Sequence, residues 1–147
     1  MYLLPLGRES GRLAIRAEAG SVISRDTSGL PTTQLFVAGG DNSVRGYALS
    51  SIGVTQSNGA IAAGRYISTG SIEWQRPIRW DQQRTDWESA VFVDAGAVAD
   101  QMSQLKAQIG YGVGARWRSP IGPLRMDLAY GQAVHKLRLH LSVGFVF

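Results

Sequence analysis

The sequence predicts an all-β fold: an antiparallel meander of six strands forming the wall of a transmembrane β-barrel. Three observations carry this. Six segments alternate apolar and polar residues with period two. Charges sit at strand centres on the polar face: Arg16, Glu18, Glu73, Asp94, Arg116, Arg125 and Asp127. Aromatic residues (Tyr66, Trp74, Trp80, Trp87, Trp117, Tyr130) gather near strand ends, as in the girdles at membrane interfaces. A soluble sandwich would bury the apolar face against a second sheet. Mid-strand charges fit better with a wet lumen on one side and lipid on the other.

The first strand is expected at 12–24. Leu13, Ile15, Ala17 and Ala19 share one face, and Arg16 and Glu18 the other. The second, at 64–79, sets Ile72, Trp74 and Ile78 against Ser71, Glu73 and Gln75. The third, at 88–99, sets Val91, Val93 and Ala95 against Phe92, Asp94 and Gly96. The fourth, at 107–118, lines Ile109, Tyr111, Val113, Ala115 and Trp117 on one side, with Gly110, Gly112, Gly114 and Arg116 opposite. The fifth, at 123–132, opposes Leu124, Met126, Leu128 and Tyr130 to Arg125 and Asp127. The sixth, at 136–147, has an unbroken apolar face from Leu137 to Phe147 against Arg138, His140 and Ser142. Polar turns are expected at 79–88 and 100–106, and a tight turn with two prolines at 119–123.

Composition narrows the function. There is no Cys, hence no disulfide framework or thiolate metal site. No apolar run approaches the ~18 residues of a membrane helix. Net charge is +4, but Lys and Arg are dispersed, which argues against nucleic-acid binding. Residues 1–6 are too short for a signal peptide, so an export signal is expected upstream. His135 and His140 lack a third ligand at metal spacing, and no G-x-S-x-G elbow is present, so no metal, cofactor or catalytic residue is expected.

One long connection, 25–63, stands apart. Its stretch LFVAGGDNSVRGYALSSI is broken by Gly39, Gly40, Asp41 and Gly46, and sets Arg45 between Val44 and Gly46-Tyr47. Gly39-Gly40-Asp41 lacks the Lys and strand–helix setting of a phosphate loop, so a turn is the better reading. By parity, Glu73 and Asp94 share the polar face on neighbouring strands, where they can flank one guanidinium.

Residues 36–47, FVAGGDNSVRGY, resemble the sixth extracellular loop of the BamA/TamA superfamily of outer-membrane assembly barrels (the bacterial surface antigen domain), with its V-R-G-F/Y signature at Val44, Arg45, Gly46 and Tyr47. Phe92-Val-Asp-Ala-Gly96 resembles the strand motif that follows. Residues 64–74, GRYISTGSIEW, resemble the TamA branch, and residues 112–130 resemble the penultimate hairpin. The resemblance implies a loop folded into the lumen and locked by Arg45 on Glu73 and Asp94. Gly110, Gly112 and Gly114 would leave room for that loop.

It further implies that residues 1–147 are the C-terminal portion of a larger barrel, preceded by POTRA domains, because six strands cannot close around a lumen. The first strand would then be an unpaired edge. The implied activity is a TamA-like role in inserting or exporting β-rich proteins such as autotransporters at the bacterial outer membrane. Its partners would be outer-membrane lipid, nascent substrate strands and a TamB-like periplasm-spanning protein. A BamA-like insertase, a two-partner-secretion transporter, or a barrel fused to an upstream hydrolase are the alternatives. The C-terminal strand resembles a barrel-insertion signal through His140, Phe145 and Phe147, with Ser142 where Gly is usual. Long loops lie outside the cell in such barrels. Turns 79–88 and 118–123 and the C-terminus should then share the periplasmic side, opposite 25–63, 100–106 and 131–136.

Overall fold

The computed structural model describes residues 2–7, 10–23, 32–81, 83–120 and 122–144. Its strands are β1 (Tyr2–Gly7), β2 (Gly11–Ser21), β3 (Val54–Thr55), β4 (Ile61–Ala62), β5 (Tyr66–Trp80), β6 (Gln83–Ala99), β7 (Gln108–Ser119), β8 (Gly122–Gly131) and β9 (Lys136–Val143). Seven of them make one antiparallel sheet in the order β1-β2-β5-β6-β7-β8-β9, and β3 and β4 pair as a small hairpin inside the long loop.

The sheet therefore has seven strands where the pattern predicts six. The additional one is β1, YLLPLG, a short apolar run with no alternation and a proline. Periodicity cannot flag such a run, and an edge strand is where a sheet tolerates proline. In consequence β2 is not an edge: it pairs with β1 on one side and β5 on the other. The expected turn at 79–88 is mostly strand. Arg79 pairs with Arg84 and Trp80 with Gln83, with a bulge between Pro77 and Arg79, so the hairpin turns near Asp81 (φ 48). The β5–β6 hairpin consequently overhangs its neighbours, whose pairing stops at Arg12–Gln75 and Trp87–Trp117.

The two faces follow the parity of the sequence. Ile72, Val91, Val93, Tyr111, Val113, Leu128, Leu137, Leu139 and Leu141 are all exposed on the outer face. A contiguous apolar surface of this extent needs an apolar solvent or a partner. The inner face buries Thr69, Ser71, Glu73, Gln75, Glu88, Asp94, Arg116 and Asp127. The chain's own loop covers Ser71, Glu73, Asp94 and Asp127. The hydrophobic core consists of Ala38, Val44, Tyr47 and Ile52 from the loop, packed with Ile67 and Val98 from β5 and β6 and with Phe36. Isolated bridges Phe36–Gly64 and Ala38–Ile52 brace the loop. The sheet is an open wall: β1 and β9 are its two edges. The meander puts the β1–β2, β5–β6 and β7–β8 turns at one end, and the long loop with connections 100–107 and 132–135 at the other.

Candidate functional site

The loop reaches the inner face because its backbone can turn sharply and the wall leaves it space. Gly46 has φ +92, in the left-handed region that favours glycine. A side chain there would also strike β8, since an added Cβ would lie 2.6 Å from Gly131 N. Opposite the loop, a Cβ on Gly110 would sit 1.9 Å from the Arg45 carbonyl oxygen, and one on Gly96 would sit 2.5 Å from Val44 Cγ2. Gly112 and Gly114 instead make room for other lumen groups: the Phe92 ring and the Asp127 carboxylate, respectively.

Arg45 is 5% exposed. Its Nε and Nη2 donate to Asp94 Oδ2 and Oδ1 at 2.7 and 2.9 Å, a two-toothed guanidinium–carboxylate pair. Its Nη1 donates to Glu73 Oε2 at 2.6 Å and to Asp127 Oδ2 at 3.1 Å. Its backbone N–H donates to Asp94 Oδ2 at 3.0 Å. The guanidinium carbon lies 3.4 Å from the centre of the Phe92 ring, a cation–π contact that covers its remaining face. Burial works against the Arg45 charge. Hydrogen bonds and charge from Asp94, then from Glu73, outweigh it and hold the pKa above the ordinary value.

The carboxylates are held in turn. Asp94 is fully buried and also accepts from Ser71 Oγ at 2.6 Å. Glu73 Oε1 accepts from Gln75 Nε2 at 2.6 Å and Arg116 Nε at 3.1 Å. Arg116 Nη1 donates to Asp127 Oδ1 at 2.6 Å, while its Nη2 lies 2.9 Å from Glu73 Oε2 as an ion pair without hydrogen-bond alignment. One charged group from each of β5, β6, β7 and β8 thus joins the loop cation in a network of three carboxylates and two guanidiniums. Asp127 and Arg116 are the members that sequence reasoning did not assign to it. Their lumen parity was legible, but their distance from Arg45 was not.

The other motif residues take supporting places. Tyr47 is 2% exposed. Its hydroxyl donates to the Ile109 carbonyl at 3.1 Å and accepts from Ala133 N–H at 3.1 Å, fastening the loop to β7 and to the turn between β8 and β9. Gly39 N–H donates to Ser43 Oγ at 2.7 Å, and Gly40 N–H to the Val44 carbonyl at 3.2 Å, closing the turn that exposes Asp41. His140, on the inner face of β9, accepts from Gly46 N–H through Nε2 at 3.1 Å. That assigns its ring proton to Nδ1, which lies 2.9 Å from Asp41 Oδ1 and donates to it. Sequence reasoning read His140 as a polar-face residue of the last strand and as part of a terminal signal; the structure also places it against the loop. Phe145 and Phe147 lie outside the described residues.

Residues 2–147 match the family model of the Omp85 superfamily domain. "Outer envelope protein 80, chloroplastic" of Arabidopsis thaliana is 34% identical over 122 residues, which is 76% of this chain and 15% of that protein. The crystal structure of BamA from Haemophilus ducreyi lacking POTRA domains 1-3 superposes with a TM-score of 0.77 at 24% identity, over 99% of this chain and 33% of that one. The structural likeness is one of fold. The chain spans only a small part of either relative's length.

Proposed function

Because the chain belongs to the Omp85 superfamily of outer-membrane, non-enzymatic barrels, we propose that it forms part of a barrel that inserts or translocates β-rich polypeptides at the outer membrane. The observation that carries this reading is the buried network that clamps the loop onto four successive strands. In this reading the loop is a fixed strut inside the lumen. It braces the wall from within while the edge at β9 is available to pair with incoming strands. Strand addition at an edge supplies main-chain hydrogen bonds to any sequence, which suits a machine that handles many barrels.

A TamA-like role, with autotransporters as substrates and a TamB-like partner, is the finer form of the proposal; residues 64–74 alone support it. The similarity to BamA and to the envelope protein supports a BamA-like insertase as the second reading.

The test is reconstitution of the intact protein in vesicles with an unfolded barrel substrate. Arg45→Ala leaves Asp94 buried without its cation and Glu73 with Arg116 alone, a change that costs about 3–5 kcal/mol when a buried pair is broken. Substrate insertion should fall sharply, and the loop should become accessible to protease. Full insertion activity with an undigested loop would overturn the role given to Arg45.

A further inference from the structure

A second charged assembly lies at the turn end of the inner face, apart from the loop network. A cavity of about 380 Å³ opens there, and its described lining carries three guanidiniums, Arg12, Arg84 and Arg118, against one carboxylate, Glu88. Glu88 is 5% exposed, and both its oxygens are taken. Oε2 accepts from Arg12 Nη2 at 2.8 Å, and Oε1 accepts from Arg118 Nη2. Gln75 Oε1 holds Arg12 Nε at 2.6 Å. Glu88 is therefore saturated and acts as an anchor that orients two guanidiniums. These contacts engage Nε and Nη2 of Arg12 and Nη2 of Arg118, and each guanidinium has further N–H donors. The two side chains remain 40% and 62% exposed.

The charge is unbalanced. Arg12 and Arg118 share the single carboxylate of Glu88, so these three groups keep one net positive charge. A guanidinium presents paired donors that match a carboxylate. The location selects the source of that carboxylate. At this height the wall turns Trp74, Trp87 and Trp117 outward, the last two stacked with centroids 5.6 Å apart. Lipid headgroups belong on that tryptophan side. The cavity opens on the other side, where a chain in the lumen meets it.

We propose that this cavity is an anion site that takes carboxylate side chains of an acidic polypeptide segment at the turn-side mouth of the lumen. It deepens the translocator reading above by naming a substrate feature, but its test needs no translocation, so the two can fail separately. The intact protein in detergent is titrated with hexaglutamate and with hexaglutamine, following tryptophan fluorescence. Hexaglutamate should bind saturably and hexaglutamine should not. The double variant Arg12→Gln/Arg118→Gln should weaken hexaglutamate binding about tenfold, the scale of two exposed ion pairs. Arg12→Lys/Arg118→Lys should keep most of it. Raising salt from about 50 to about 500 mM should weaken it in the parent protein. Heat-modifiable gel migration checks folding, and if the double variant does not fold, Arg118→Gln alone should lose about threefold. Equal binding of the two peptides, or an unchanged affinity in the folded variants, overturns the proposal. Arginine-dependent binding of phosphatidylglycerol vesicles with no binding of hexaglutamate also overturns it, by giving the site to lipid.

Discussion

At the scale of single residues, Arg45 shows how much chemistry one guanidinium concentrates. It meets three carboxylates and an aromatic face at once. A lysine ammonium has no planar fork and cannot hold Asp94 through two parallel bonds. His140 is the less obvious case, since its ring must accept from Gly46 and donate to Asp41. His140→Gln keeps one acceptor and one donor, whereas His140→Phe leaves the Gly46 N–H unsatisfied. The loss of a buried partner costs about 1–3 kcal/mol. Denaturant unfolding in detergent should show His140→Phe destabilised by about that amount, with His140→Gln closer to the parent. The residues Arg45, Glu73 and Asp94 were legible because motif and parity both pointed to them. Asp127 and Arg116 were not, because parity gives the face of a strand and not the depth. Depth is set by register, which brings Asp127 opposite Gly114, where the missing side chain gives its carboxylate room.

At the scale of elements, alternation predicted each strand that has two chemically different faces, and missed β1, which has none. It also mistook the polar end of the β5–β6 hairpin for a turn. Arg79, Arg84 and Asp86 look like turn residues, yet backbone pairing continues through Arg79–Arg84 to Trp80–Gln83. The outer faces give a direct expectation. Val93 lies on the exposed apolar face of β6, at 52% exposure. Val93→Arg puts a charge on the lipid side, at a cost of about 2–4 kcal/mol if it lies near the bilayer midplane. The variant should be depleted from the membrane fraction relative to Val93→Leu. The last strand carries a second expectation. Leu137, Leu139 and Leu141 are more than three-fifths exposed on its outer face, so β9 offers lipid a continuous apolar stripe. If residues 140–147 form an insertion signal, deleting Phe147 from the intact protein should lower the amount reaching the outer membrane while synthesis is unchanged. Equal outer-membrane levels would assign Phe147 to the aromatic girdle instead.

At the scale of the molecule, the turns after β1, β5 and β7, two or three residues long, fall at one end and the longer connections at the other. Barrels of outer membranes keep short turns in the periplasm. A cysteine at Ser119 should therefore resist an impermeant label on intact cells, and one at Val134 should accept it; the reverse pattern would invert the orientation. The seven-strand count, which the alternation pattern did not reach, adds a constraint of direction. With an odd number of alternating strands, β1 and β9 both point from the loop end to the turn end. Joined to each other they would run parallel, so closing the ring by antiparallel pairing takes an odd number of further strands. A second copy of this sheet brings seven and satisfies the count, but only when inverted top to bottom. One copy's loop would then face the cell exterior and the other's the interior. A membrane whose two sides differ does not allow that arrangement, so the strands that complete this wall must come from a different stretch of sequence.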